Sequence, residues 1–451
     1  MIQSDLKVMK RYLFFFIASC ILLSANAQQG NTAWSLRQCI QHALDNNIGI
    51  KQRQTAVRNS EIALSTARNS RLPNLNASAS QSFNFGRGLT SDNTYTNRNT
   101  QSTGFDVGTS MPLFTGGQIP NTVAARRIDL QAAIADLDKA REDVSLQVTS
   151  AFLEALYQQE LLEVAQQQVQ LSQTQLRRIE LLNQNGKNSP ADVAQARSTL
   201  ANDQLTLTQQ QNALQLSLLD LTQMLELPTP DGFAIAATAT DTADFTPDVV
   251  LLSPDSFVDG IIDQRPAIQA EQYRLESAKK NVSIAKSGLY PSLNLNGGIG
   301  ASYYKTSGFP AESFSTQLKN NFNKYLGISL SIPIFNRFSV RNQVRQAQLQ
   351  VESQQLTLEQ SRKALYKEMQ QAYYNAVAAQ KQFESSTAAM QASEASFILM
   401  QKKFENGKAT STEYEESKTR HMKATADQLQ AKYTFIFRQK ILQFYQGIPL
   451  G

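Results

Sequence analysis

Cysteine and histidine are almost missing from this chain, which carries 2 of each in 451 residues. The cysteines are Cys20 and Cys39, and the histidines are His42 and His421. Cys20 falls inside an expected signal segment, so the processed chain keeps Cys39 alone. It can then close no internal disulfide and build no cysteine-based metal site. With its histidines so far apart, the chain offers no catalytic triad or zinc constellation, and it is read as a protein without enzymatic activity, cofactor or metal. Breakers are scarce as well: 13 prolines and 20 glycines leave room for long uninterrupted elements. Charge of one sign is not in large excess, because 43 Lys and Arg stand against 38 Asp and Glu. The positives are scattered among carboxylates instead of being gathered with aromatics, which points away from nucleic acid as a partner. After the first residues no apolar run reaches the about eighteen positions that a membrane-spanning helix needs.

What is present begins with Lys7, Lys10 and Arg11, an apolar run from Tyr12 to Leu23, and Ala25-Asn26-Ala27. These are the three parts of a secretory signal peptide, expected over 1–27, with Met9 an equally good start. Ile17-Ala18-Ser19-Cys20 also resembles a lipobox, which would place a lipid on Cys20. Cleavage after Ala27 is favoured, since the apolar core continues past Cys20 and ends at a small-residue site.

The rest is one unit written twice, about 221 residues apart. Met111-Pro112-Leu113-Phe114 recurs as Ile332-Pro333-Ile334-Phe335, and Ala151-Phe152-Leu153-Glu154-Ala155-Leu156 as Ala372-Tyr373-Tyr374-Asn375-Ala376-Val377. Asn185-Gly186-Lys187 recurs as Asn406-Gly407-Lys408. The expected division is a first repeat over 28–228, a linker over 229–254 and a second repeat over 255–451. Each repeat reads as helix, strand, polar loop, strand, very long helix, tight turn and long helix.

Strands are expected at about 74–86, 103–114, 292–304 and 325–335, each alternating with period two. Leu75, Ala77, Ala79, Phe83 and Phe85 alternate with Asn76, Ser78, Ser80, Ser82 and Asn84; Leu326, Ile328, Leu330, Ile332 and Ile334 alternate with Gly327, Ser329 and Ser331. An apolar face and a small polar face suit a wall between lipid and water. A soluble sandwich shows the same alternation, but four strands cannot close a barrel, and an open edge in hydrocarbon leaves backbone groups unpaired. Closure must come from other copies, and three protomers would supply twelve strands. Phe83, Phe85, Tyr303 and Tyr304 fall near strand ends, where an aromatic girdle sits.

Asn121 to Asn185 has no internal Gly or Pro after Pro120, and apolar residues recur three and four apart. At about 1.5 Å per residue such a helix is roughly 95 Å long. Val340 to Glu405 repeats it, and a wall of long helices, wet on one side and packed on the other, suits a water-filled tube. A plain coiled-coil spacer shares the pattern. Turns are expected at 185–190 and 406–411. Gly186 and Gly407 suit left-handed helix ends, Ser189 and Thr410 suit N-caps, and Asp192 and Glu413 complete the capping boxes.

Together with Ser35-Leu36-Arg37-Gln38-Cys39-Ile40-Gln41-His42-Ala43-Leu44-Asp45-Asn46-Asn47 and Pro112-Leu113-Phe114-Thr115-Gly116-Gly117, these duplicated motifs are similar to those of TolC-type outer-membrane efflux proteins over essentially the whole processed chain. The resemblance implies an α+β membrane protein. Its long helices would form a periplasmic helical barrel, and four strands per protomer would enter a homotrimeric twelve-stranded barrel in the outer membrane of a Gram-negative bacterium. It implies a passive exit duct of a tripartite efflux or type I secretion system, set in outer-membrane lipid. The partners would be a periplasmic adaptor and an inner-membrane pump or ABC transporter. Adaptor-docking tips would be Arg178, Gly186, Ser189 and Asp192 in the first hairpin and Gly407 and Thr410 in the second, with Lys403 near but not at the second arginine position. The periplasmic aperture would be narrowed by Glu413 and Glu416 beside Phe404. Ala409 stands where the family has a latching Arg, and Phe404 lacks a tyrosine hydroxyl, so the usual latch is not carried over. The competing reading is a periplasmic coiled-coil adaptor or scaffold without a pore.

Overall fold

The computed structural model of the protein describes residues 33–89, 93–236, 258–448 and 450. The expected signal segment with Cys20, and positions 237–254 of the expected linker, lie outside the described residues. Helices α1 (Leu36–Asn46) and α2 (Ile48–Asn69) come first, α1 opened by a capping box between Ser35 and Gln38. Strand β1 (Asn74–Asn84), the small hairpin β2 (Arg87–Leu89) and β3 (Tyr95–Asn97), and strand β4 (Thr100–Thr115) follow. Helices α3 (Gln118–Gln184) and α4 (Pro190–Met224) close the first copy. The second copy runs through α5 (Val258–Ile261), α6 (Pro266–Ser287), β5 (Ser292–Thr306), α7 (Phe314–Asn320), β6 (Asn323–Ser331), α8 (Ser339–Glu405) and α9 (Ser411–Tyr445). Helices α3 and α8 have 67 residues each, and α4 and α9 have 35 each.

Contacts divide the chain into two compact units. One comprises Gln52–Lys139 and Ile262–Tyr366 and holds an antiparallel sheet in the order β1-β4-β5-β6. Register puts Ala77 opposite Val107, Val107 opposite Ile299, and Leu295 between Met111 and Ile328, so one face is largely apolar, with Lys324 beside Ile299 at the β6 edge. Asn76, Gly108 and Gly298 form a row on the other face, where the Tyr325 ring lies so close that a Cβ on Gly298 would come within 2.7 Å of it. The apolar face is uncovered: Leu75 is 75% exposed, Leu326 79% and Ile328 67%. Strands β1 and β6 each pair on one side only.

The proline motif behaves differently in the two copies. In β4 the ladder continues past Pro112 through a register shift before Phe114. In the second copy β6 stops at Ser331, earlier than the expected 335, and Ile332–Phe335 is not strand. A proline has no N–H to donate to a ladder, so a strand containing one must bulge or end. The polar loops between the strands contain the β2–β3 hairpin and helix α7.

In the same unit α6 is bound to its neighbours by polar contacts. Ser277 donates to Asp129 at 2.5 Å, Arg274 bridges Asp136 and Glu271 at 2.5 Å each, and Gln354 donates to Glu271 at 2.6 Å.

The other unit comprises Met1–Lys51, Ala140–Ile261 and Lys367–Gly451. Its core joins Leu36, Cys39 and Ala43 of α1 to Val148, Phe152 and Leu156 of α3, Leu221 of α4, and Tyr433 and Ile436 of α9. Phe152 is completely buried, a stabilisation of about 2–3 kcal/mol relative to exposure. Trp34 closes this core against the chain after α4, its N–H donating to the Ala234 carbonyl at 2.8 Å.

Candidate functional site

The expected tip residues sit on two near-identical turns within this second unit. At the end of α3, Gly186 has φ of +68°, its N–H meets the Asn183 carbonyl at 2.9 Å, and the Lys187 N–H meets the Leu182 carbonyl at 2.9 Å. At the end of α8, Gly407 also has φ of +68°, with the matching bonds to Phe404 at 3.0 Å and from Lys408 to Lys403 at 2.8 Å. This is the six-to-one and five-to-two pattern that turns a chain out of a helix, and the left-handed residue it requires is cheapest as glycine.

Each following helix starts on a reciprocal capping box. The Ser189 N–H donates to Asp192 at 2.9 Å and the Asp192 N–H returns to Ser189 Oγ at 3.2 Å. The Thr410 N–H donates to Glu413 Oε2 at 2.7 Å and the Glu413 N–H returns to Thr410 Oγ1 at 3.3 Å. Glu413 is therefore a cap, and the bonds from Thr410 hold its carboxyl below the usual glutamate range. Glu416 is exposed one turn later, on the same side of α9.

Arg178, two helical turns before Gly186, ties α3 to the second turn, donating from Nη2 to the Glu405 carbonyl at 2.6 Å. Phe404 stacks on Tyr414 at 4.8 Å between ring centroids, and Tyr414 also meets Phe397 at 5.7 Å. Burial first, then nearby carboxylates, push the Tyr414 hydroxyl up to about 12, so it stays protonated. The structure thus brings Arg178 to the second glycine turn, beside the stack of Phe404 on buried Tyr414. Asp192 and Glu413 serve as caps on separate helices.

Sequence reasoning did not single out the group beside this stack. Lys418 of α9 is buried and reaches two other helices, donating to Asp203 of α4 at 2.9 Å and to Ser172 of α3 at 2.8 Å. Ser172 also donates to Asp203, Gln168 donates to it at 3.3 Å, and Glu415 lies 3.7 Å from the ammonium. Removing one partner of such a buried pair costs about 3–5 kcal/mol, because the other charge is left uncompensated. Periodicity places Lys418 on the packed side of α9 with Tyr414 and Ser417, and that position is the only signal the sequence carries for it.

A serine hydroxyl beside an amine is half of a nucleophile–base pair, yet this one is built for linkage. The Lys418 amine is taken up by Asp203 and Ser172 together, and the adjoining cavity of about 10 Å³ has room for one water. Among the described residues no group of three or more His, Cys, Asp and Glu could hold a metal ion, and no described helix is long and apolar enough to cross a membrane.

A model of the outer membrane efflux protein family matches residues 39–226 and 258–444. The chain is similar to Protein CyaE of Bordetella pertussis, with 25% identity over 277 residues that cover 58% of this chain and 54% of that protein. It is also similar to the pyoverdine export outer membrane protein OpmQ of Pseudomonas putida, with 28% identity over 247 residues covering 53% and 48%. It thus spans about half the length of these curated relatives. The fold is similar to the crystal structure of CusC at a TM-score of 0.76, with 17% identity and 92% of each chain covered.

Proposed function

Given that this chain belongs to the outer membrane efflux protein family, we propose that it is the exit duct of a tripartite efflux or type I secretion system. Three copies bring their four strands together as a twelve-stranded barrel in the outer membrane of a Gram-negative bacterium. The long helices continue the duct through the periplasm. The duct is passive, does no chemistry, and draws its energy from an inner-membrane pump or ABC transporter reached through a periplasmic adaptor.

One observation carries this reading: the sheet is open at β1 and β6 while the apolar residues of those edge strands, Leu75, Leu326 and Ile328, are uncovered. Unpaired strand edges beside exposed Leu75 and Ile328 have no stable resting place in water, and a ring of copies in lipid satisfies both at once. The hairpin turns, with Arg178, Gly186, Ser189, Asp192, Gly407 and Thr410, are the surface offered to the adaptor. Glu413 and Glu416 ring the aperture beside Phe404, and their charge draws cations to the entrance.

The adaptor or scaffold reading calls for a lipoyl-like or β-barrel domain between two helices. The described strands here instead form the four-stranded sheet and one two-stranded hairpin. Membrane fractionation, followed by gel mobility before and after boiling, tests the proposal. An outer-membrane species that migrates as an oligomer until heated supports the duct, and a soluble periplasmic monomer overturns it.

A further inference from the structure

The cluster around Lys418 is out of charge balance. One ammonium faces two carboxylates, Asp203 at 2.9 Å and Glu415 at 3.7 Å. Asp203 is well held, taking bonds from Lys418, Ser172 and Gln168 on one oxygen. Glu415 has only the longer contact and is the more open of the two, its side chain 29% exposed against 14% for Asp203. Among the described residues that line the adjoining cavity there is no second cation. From α3 come Ser172 and Gln175, the latter with its Nε2 buried and without a hydrogen-bond partner; from α4 come Gln195 and Thr199; from α8 comes Phe404. Arg178 is engaged with Glu405, and Arg197 with Glu180 at 2.9 Å. On α9 itself the Tyr414 hydroxyl stays neutral.

Two carboxylates that share one cation in a poorly solvated site do not both ionise freely, and the less firmly held one takes up the proton. We propose that Glu415 is a proton-binding switch on the joint between α9 and the α3–α4 pair. With the proton bound, α9 packs tightly through Lys418, and with it lost, the surplus negative charge loosens the start of α9. The switch stands on the cluster itself, and its consequence for transport rests on the aperture reading above. Burial raises the Glu415 carboxyl above its ordinary 4.5, with Lys418 opposing and Asp203 reinforcing the shift. The packed form therefore binds the proton more tightly than the released form. Its stabilisation is fully present below 4.5 and is lost as pH climbs through the raised value. The entrance opens more readily on the alkaline side.

Hydrogen exchange of the full chain in detergent or lipid, corrected for intrinsic rates, reads this directly over residues 411–425. Protection in the wild type should fall as pH rises above 4.5, by about tenfold for each unit by which the carboxyl is raised. Glu415→Gln should be flat and hold the acid-side protection. Asp203→Asn relieves the imbalance and should move the midpoint toward acid, which a merely structural loss would not do, and it carries the test if Glu415→Gln fails to fold. A flat wild-type profile, or an unchanged slope in Glu415→Gln, overturns the switch. Bilayer conductance separates the two ideas. Titrating exchange in a protein that conducts nothing would sink the duct and leave the switch, while conductance with flat exchange would do the reverse.

Discussion

Arg178 of α3 donates to the main-chain carbonyl of Glu405, the last residue of α8, so a side chain from one copy of the repeat caps a helix of the other. Carbonyls at a helix C-terminus lack partners within the helix, and a cation there also meets the negative end of the helix dipole. Arg178→Ala should therefore raise protease cleavage at the 406–410 turn several-fold. Global melting should barely change, because the Arg178 side chain is 38% exposed. Cleavage equal to wild type would show that the contact does not hold the turn.

Glu413 and Glu416, proposed above to ring the aperture, should respond differently to substitution. Glu413 accepts from Thr410, whereas Glu416 has no capping duty. Thr410→Ala should cost about 1 kcal/mol at the start of α9. Glu413→Gln keeps an acceptor and should remove mainly a pH dependence. The capped carboxyl is lowered, so its contribution is present above 4.5 and is lost as pH falls through the lowered value. In planar bilayers the double variant Glu413→Gln, Glu416→Gln should lose cation preference, and unaltered reversal potentials would remove both residues from the aperture.

Gly298 and Tyr325 form a pair that can be tested by a double-mutant cycle. A Cβ at position 298 would lie 2.7–2.8 Å from the Tyr325 ring, closer than carbon atoms approach. Gly298→Ala alone should lower the temperature at which the assembled species dissociates on gels. Adding Tyr325→Ser should restore most of the loss, and additive effects would mean that the ring moves aside freely.

Phe152 anchors the α1–α3–α4–α9 core and is completely buried. Phe152→Ala should destabilise by about 3–5 kcal/mol through lost burial and the cavity left behind. Denaturant unfolding followed by circular dichroism would register it, and a shift below about 1 kcal/mol would imply that the site collapses around the smaller side chain.

Turn chemistry was legible because it is local. Gly186, Ser189 and Asp192 interact within a few residues of one another, as do Gly407, Thr410 and Glu413, so spacing alone announces them. The period-two strands and unbroken helical stretches were legible for the same reason. The strand expected to 335 instead ends before Pro333, because alternation continues through a proline that cannot donate to the ladder; the bulge after Pro112 and the elements β2, β3 and α7 inside the polar loops were not read at all. Arg178 was singled out through the resemblance, but its partner, a carbonyl 227 positions away, was not.

By itself the sequence determined the duplication, the alternating strands, the long helices and the capped glycine turns, since each is written in residues a short distance apart. Only the tertiary structure decided the strand order β1-β4-β5-β6, the packing of Tyr325 over Gly108 and Gly298 on one face, and the meeting of Lys418, Asp203 and Ser172. The reason is one of distance. Lys418 lies 215 positions from Asp203 and 246 from Ser172, and a lysine on a helix reveals a buried role only when the helices that desolvate it are in place.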